Sequence, residues 1–312
     1  MYSLRLNRLW LILTCAAALA LSLAACAGAA PTPAPSPAVT AAPPLLSITS
    51  TPAPTLTQTL PPNATPGPDC MQSAGVVRPL SINSDALQRT LHFNLYLPPC
   101  YDPQQPGGYP VLYLLHGQTY DENQWVNLGA PEAADRLISS GAAAPFLIVM
   151  PQEADTLANP FSTGFEQALT AELVPWINAN AAVCAQRECQ AIGGLSRGAS
   201  WAVWIGFAHP QLFSAIGAHS LPPFYGTEGR MTTWLAQIPA GGLPRVWMDI
   251  GANDPYLPDA SAFETLLTRL DIPHTWEINS GNHEDSYWSE HVEAYLRWYA
   301  QGWTAVPTPA AP

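Results

Sequence analysis

Gly194-Leu195-Ser196-Arg197-Gly198 is the stretch of sequence that decides the fold, because it joins two runs of different character. A strand-like run over 189–193 precedes it, and a helix-like run over 199–205 follows it. The flanking glycines leave room for a sharp strand-to-helix turn, which lifts the serine oxygen clear of a sheet. The pattern alone is weak evidence, since the serine could be an ordinary turn or N-cap residue. Its setting nevertheless predicts a nucleophile at Ser196.

A serine hydroxyl is a poor nucleophile at neutral pH, so it needs a histidine to take its proton and an acid to orient that histidine. The strand-like run over 243–250 ends just before Asp254, and the run over 274–278 ends just before His283. In chains with this elbow the acid and the histidine follow the serine in that order. We therefore predict Asp254 as the acid and His283 as the base.

Two other residues compete for these roles. Asp249 competes with Asp254, but it lies inside a strand, where we expect it to pair with an arginine. His219 competes with His283, because it lies at the end of the strand after the nucleophile helix and could line a pocket. We favour His283 because it follows the last strand-like run.

The negative charge that develops on the attacked carbonyl oxygen needs two backbone N–H donors, which form an oxyanion hole. The residue after the nucleophile, Arg197, supplies one of them. The strand-like run over 111–115 leads into His116-Gly117-Gln118, and we predict Gly117 or Gln118 as the second donor. Two aromatic residues, Trp125 and Tyr256, are our candidates for substrate binding, although most aromatic side chains belong to the core.

The remaining pattern predicts an α/β fold. Strand-like runs lie near 76–80, 90–97, 110–115, 145–150, 189–194, 213–219, 244–250 and 273–278. Helix-like runs lie near 131–140, 165–179, 198–208, 260–270 and 286–300. This alternation predicts a mainly parallel sheet flanked by helices on both faces, with an N-terminal antiparallel hairpin.

These pieces together resemble the putative-esterase branch of the α/β-hydrolases, which includes esterase D-like enzymes, feruloyl and acetylxylan esterases, enterochelin esterases and mycolyltransferases. The resemblance covers roughly residues 70–303. It rests on the 109–117 segment, Trp125, 149–151, 172–175, 193–198, Asp254 and His283. The sequence departs from the family pattern at Arg197, where relatives often have Met, and at Ala199, where Gly is common.

The resemblance implies an α/β-hydrolase fold and a serine carboxylic-ester hydrolase that forms an acyl-enzyme and requires no metal or organic cofactor. A small-molecule or carbohydrate-linked ester is the expected substrate, and feruloyl, acetyl-xylan, siderophore and short-chain aliphatic esters all remain open. We infer no obligate protein partner. Two alternatives stay open: acyl transfer to a sugar or lipid hydroxyl, and a catalytically silent surface-binding module.

Residues 1–26 resemble a bacterial lipoprotein signal, with Arg5 and Arg8 before an apolar run over 9–25. Cleavage before Cys26 would leave a lipidated thiol that anchors the exported chain to the outward face of the cell membrane. An ordinary secretory signal and an N-terminal membrane anchor are the alternatives. Residues 27–69, rich in Ala, Pro and Thr, predict a disordered tether, and residues 304–312 predict a disordered tail. One catalytic domain over 70–303 remains.

Four cysteines lie in this domain, an even number that favours disulfides in an exported protein. Cys70 and Cys100 flank the predicted hairpin, and Cys184 and Cys189 bracket a short polar turn, so we predict these two pairs. A metal site is disfavoured, because the spacing lacks paired C-x-x-C motifs. The formal net charge of −12 argues against a nucleic-acid partner.

Overall fold

The computed structural model describes residues 70, 72–223, 227–239 and 241–303. The predicted signal segment with Cys26, the tether and the C-terminal tail therefore lie outside the described residues, and these assignments stay predictions. Within the described ranges, no helix is both long and apolar enough to cross a membrane.

One sheet of eight strands organises the described part of the chain, in the order β1-β2-β4-β3-β5-β6-β7-β8. The strands are β1 (Val76–Ser84), β2 (Arg89–Leu97), β3 (Val111–Leu115), β4 (Leu147–Pro151), β5 (Gln190–Leu195), β6 (Ala215–His219), β7 (Arg245–Gly251) and β8 (His274–Asn279). β2 pairs antiparallel with both β1 and β4, and every other pairing is parallel. The predicted α/β-hydrolase architecture, with its N-terminal hairpin, is confirmed.

Helices cover both faces of the sheet. They are α1 (Gln124–Asn127), α2 (Ala130–Ser139), α3 (Phe165–Gln167), α4 (Val174–Asn180), α5 (Arg197–Ala208), α6 (Thr227–Leu235), α7 (Leu257–Arg269) and α8 (Asp285–Gln301). A π-helical segment, Ala168–Leu173, joins α3 to α4, so the helix predicted over 165–179 is continuous but irregular. The sequence pattern did not predict α1 or α6.

The core is split by the sheet into two apolar layers. One layer lies between the sheet and α3 to α7, and the other lies between the sheet and α1, α2 and α8. Strands β3, β4 and β5 are buried at every position, as expected for parallel strands covered on both faces. Helix α5 is buried from Gly198 to Phe207, so the segment that carries Ser196 is fixed in the centre of the domain.

Both predicted disulfides are present. Cys70–Cys100 joins the outer ends of the β1–β2 hairpin, with Cα atoms 5.8 Å apart. Cys184–Cys189 closes the turn before β5, with Cα atoms 5.7 Å apart. Because all four thiols of the domain are consumed by these bonds, they do not form the alternative metal site.

Candidate active site

Ser196 occupies the turn between β5 and α5 in a conformation that few non-glycine residues adopt, with φ 52° and ψ −126°. Two close backbone approaches explain the flanking glycines. A Cβ atom at Gly194 would collide with the backbone of Gly198, and one at Gly198 would collide with the carbonyl of Leu115. The Ser196 N–H donates to the His219 carbonyl oxygen at 2.8 Å, which holds the turn to the neighbouring strand. The expected nucleophile elbow is therefore formed.

The three residues predicted as a catalytic triad come together. The His283 Nε2 atom lies 2.8 Å from the Ser196 Oγ atom, and its Nδ1 atom lies 2.7 Å from Oδ2 of Asp254. The second Asp254 oxygen accepts a hydrogen bond from the Tyr256 N–H at 2.9 Å. Because a carboxylate only accepts, Nδ1 of His283 carries the proton and Nε2 is left to accept the serine proton.

The loops after β7 and β8 bring Asp254 and His283 to the same edge of the sheet. The Asn253 N–H donates to the Gly281 carbonyl oxygen at 2.9 Å, and Gly251 packs so closely on Gly281 that a Cβ atom would not fit. The Asp254 side chain is fully buried, whereas His283 retains 19 % of its side-chain exposure. The acid is therefore shielded from water, while the imidazole stays partly exposed.

The oxyanion-loop prediction needs one correction. The Gly117 N–H donates to Oε1 of Gln124 at 2.8 Å, so it is not available to a substrate, and the expectation that Gly117 could be a donor is wrong. Within the described residues the backbone N–H groups of Gln118 and Arg197 make no hydrogen bond. Both residues line the cavity beside Ser196. Gln118 and Arg197 thus remain the candidate donors.

A cavity of about 400 Å³ opens at Ser196. Its lining residues are Gln118, Thr156, Leu157, Ala158, Asn159, Pro160, Ser196, Arg197, Ser200, Pro222, Pro223 and Tyr256. Leu157 contributes a side chain that is 81 % exposed, and Tyr256 packs edge-on against the His283 ring at 5.0 Å. Pockets that hold small organic ligands have about this volume.

The family model for putative esterases matches residues 84–305, most of the domain just described. The chain belongs to the putative esterase family. This confirms the resemblance found in the sequence, and the matched range includes every proposed catalytic residue.

Two curated relatives of this esterase-family chain are informative. An endo-1,4-beta-xylanase/feruloyl esterase of Xylanibacter ruminicola is 33% identical over 156 residues, 46% of this chain and 21% of that protein. An esterase of Mycobacterium tuberculosis is 32% identical over 123 residues, 36% of this chain and 25% of that protein. The match therefore spans only about a fifth to a quarter of these relatives.

Solved structures agree in fold. A ferulic acid esterase of Anaeromyces mucronatus in complex with ferulic acid superposes with a TM-score of 0.62 at 20% identity, covering 76% of this chain and 93% of that one. An S-formylglutathione hydrolase of Staphylococcus aureus superposes with a TM-score of 0.59 at 16% identity, covering 72% and 99%. At these identities the likeness shows the fold alone.

Trp125 is not at the site of this esterase-family chain, so its prediction as a substrate-binding residue is wrong. Its side chain is 1 % exposed, and its indole N–H donates to the Leu115 carbonyl oxygen at 3.0 Å. It packs edge-on against His219 and Tyr295 in the core. Helix α1 follows the oxyanion loop and turns the indole inward, away from the cavity that Tyr256 lines.

The competing residues Asp249 and His219 form a separate, fully buried pair, with Nδ1 of His219 2.6 Å from Oδ1 of Asp249. The prediction that Asp249 pairs with an arginine is therefore wrong. The other Asp249 oxygen accepts the hydroxyls of Tyr287 at 2.6 Å and Tyr295 at 2.8 Å. Burial raises the pKa of both tyrosines, which keeps them protonated as donors. The cluster is linked to the elbow through the His219 carbonyl oxygen, which accepts the Ser196 N–H.

Sequence reasoning missed Glu153, which follows β4 at the same edge of the sheet. Its carboxylate binds the Arg197 guanidinium through two hydrogen bonds, and its backbone N–H donates to Nε2 of His116 at 2.8 Å. Burial lowers the pKa of His116, which favours the neutral ring that this bond requires. The position of an acid just after a buried strand was the available signal, but its partners are distant in the sequence.

Proposed function

We propose that this protein is a serine carboxylic-ester hydrolase in which Ser196 is the nucleophile, His283 the general base and Asp254 the residue that orients it. One observation carries the proposal: a continuous hydrogen-bonded chain runs from Asp254 through His283 to the Oγ atom of Ser196, which lines the cavity. Membership of the putative esterase family supports the same chemistry.

The geometry supports a two-step reaction. His283 Nε2 takes the Ser196 proton as the Oγ atom attacks the ester carbonyl, and the N–H groups of Gln118 and Arg197 stabilise the oxyanion. The imidazolium then gives its proton to the leaving alcohol, which leaves an acyl group on Ser196. Water attacks this acyl-enzyme with His283 again as the base, and the proton returns to the serine oxygen as the carboxylic acid departs.

We propose a small-molecule or carbohydrate-linked ester as the substrate. The lining of the cavity combines proline and leucine side chains with the amides of Gln118 and Asn159, which suits an apolar acyl group with few polar substituents. The Arg197 guanidinium is paired with the Glu153 carboxylate, so it is not available to bind an anionic group of a substrate. Relatives named feruloyl esterase support the ester class.

Export and lipid anchoring at Cys26 are part of the proposal. The two disulfides support it, because disulfides persist in oxidising compartments outside the cytosol. Metabolic labelling with a palmitate analogue should mark the native chain and not Cys26→Ser. Equal labelling of the two would refute the anchor without bearing on the esterase activity.

The esterase proposal is tested with the full-length chain and p-nitrophenyl acetate. Wild type should turn over and react with a fluorophosphonate probe, whereas Ser196→Ala should do neither. Ser139→Ala is the matched control, because Ser139 is exposed on α2 and bonds only the Arg136 carbonyl oxygen. Turnover with an added acceptor alcohol separates hydrolysis from acyl transfer. A wild type without labelling or turnover would favour a silent binding module.

A further inference from the structure

Glu153 contacts Arg197 through its carboxylate and His116 through its backbone N–H. It lies two residues after β4, with a carboxylate that is 4 % exposed. Oε2 accepts the Arg197 Nε–H at 2.8 Å, and Oε1 accepts an Nη2–H at 2.6 Å. Such two-point arginine–carboxylate pairs fix orientation as well as distance. Glu153 therefore fixes the side chain of Arg197, the residue whose backbone N–H is one of the two candidate oxyanion donors.

The backbone of Glu153 contacts the segment of the other candidate donor, Gln118, through His116. Its N–H donates to Nε2 of His116 at 2.8 Å, so the ring proton is on Nδ1, which donates to the Gly117 carbonyl oxygen at 2.8 Å. In a trans peptide the C=O and the following N–H point in opposite directions. With the Gly117 carbonyl held by His116, the Gln118 N–H is turned away from that ring. Gln118 lines the cavity.

Stability alone does not explain a buried ion pair at this place. Replacing such a pair with apolar residues of similar volume is often neutral or stabilising, because the desolvation of both charges offsets their attraction. Arg197 is 13 % exposed and Glu153 is 4 % exposed, so this pair carries that cost. The ion pair is better explained by the position that it imposes on Arg197, whose backbone N–H is a candidate donor.

We propose that the Glu153 carboxylate is a positioning group for the oxyanion hole, which orients the Arg197 amide through the guanidinium, while the Glu153 backbone N–H holds His116 beside the Gln118 amide. The inference rests on the proposed function and deepens it. Because Glu153 acts through other residues, its loss should weaken binding of the transition state and leave binding of the ground state unchanged.

The test compares full-length wild type, Glu153→Gln, Arg197→Met and the double variant with p-nitrophenyl acetate. Removal of one oxyanion donor typically costs about 10²–10³ in kcat, and we expect misalignment to cost at least about tenfold. KM should stay within about twofold. The kcat of the double variant should fall no further than that of the less active single variant, because the effects of residues that act as one unit are not additive.

A tetrahedral analogue supplies a readout that a purely structural role would not change. A trifluoromethyl ketone, which places an oxyanion in the hole, should bind Glu153→Gln at least about tenfold more weakly, while acetate inhibits all variants equally. Asp155→Asn is the matched control. Asp155 lies on the same loop and pairs with Arg89 at the surface, so we expect wild-type kinetics.

Each outcome bears on the proposal. An active wild type with kcat and analogue affinity unchanged in Glu153→Gln would overturn the role of Glu153 and leave the esterase proposal intact. A wild type without Ser196-dependent turnover would overturn both. If Glu153→Gln does not fold, the double variant decides, since it contains no unpaired buried charge. Its kcat should then fall at least about fivefold, and a smaller fall would refute the proposal.

Discussion

Replacing Asp254 with Asn should disable catalysis by placing the His283 proton on the wrong nitrogen. One Asp254 oxygen accepts the Tyr256 N–H, and the other accepts Nδ1–H of His283. Asparagine has one acceptor, and the Tyr256 amide requires it, so the NH₂ group faces His283. The imidazole then accepts at Nδ1 and carries its proton on Nε2, where it can no longer accept the Ser196 proton.

A wrong tautomer of this kind costs about 10⁴ in kcat, equal to about 5.5 kcal/mol of barrier at about 1.36 kcal/mol per tenfold. The assay is steady-state hydrolysis of p-nitrophenyl acetate by full-length protein, with thermal unfolding measured in parallel. KM should change little. Asp259→Asn, at an exposed position in the first turn of α7, is the control. A folded Asp254→Asn enzyme within tenfold of the wild-type kcat would refute the tautomer argument.

Two further predictions concern stability. Replacing Cys70 and Cys100 with Ser opens a loop with a sequence separation of 30 residues, and chain entropy predicts a loss of about 3.5 kcal/mol of unfolding free energy. Urea unfolding measures it, and a loss below about 1 kcal/mol would contradict the estimate. Burial raises the pKa of Tyr287, Tyr295 and Tyr299, so above about pH 10 the unfolded chain loses protons that the folded chain keeps. Stability present below that pH should fall as the pH rises, and these three residues contribute about 4 kcal/mol per pH unit to the fall. Tyr299→Phe should therefore reduce the urea-measured slope by about 1.4 kcal/mol per pH unit, and an unchanged slope would count against the assignment.

Patterns at strand ends were predictable because they are local. The elbow around Ser196, and the turns that carry Asp254 and His283, each follow an apolar run, and parallel strands end at one edge of the sheet. The hairpin disulfide, Cys70–Cys100, was predictable for the same reason. The position of β4 between β2 and β3 was not predictable, because its apolar run is compatible with several neighbouring strands.

Errors arose where a tertiary hydrogen bond that the local pattern does not encode decides the outcome. Gly117 and Gln118 look equivalent as donors until the buried Gln124 side chain is seen to occupy the first. Trp125 could have faced either the cavity or the core, and its indole N–H found the Leu115 carbonyl oxygen. The pairing of Arg197 with Glu153 joins residues 44 positions apart, which no local pattern encodes.

Much of the cavity wall comes from one loop that carries none of the proposed reacting groups. The segment 156–160 supplies five of the lining residues, and none of them belongs to the hydrogen-bonded chain from Asp254 to Ser196. Grafting alternative sequences onto this one loop would therefore change which acyl groups are accommodated while the proton-transfer apparatus stays intact. Selectivity could be redesigned here as an exchangeable module.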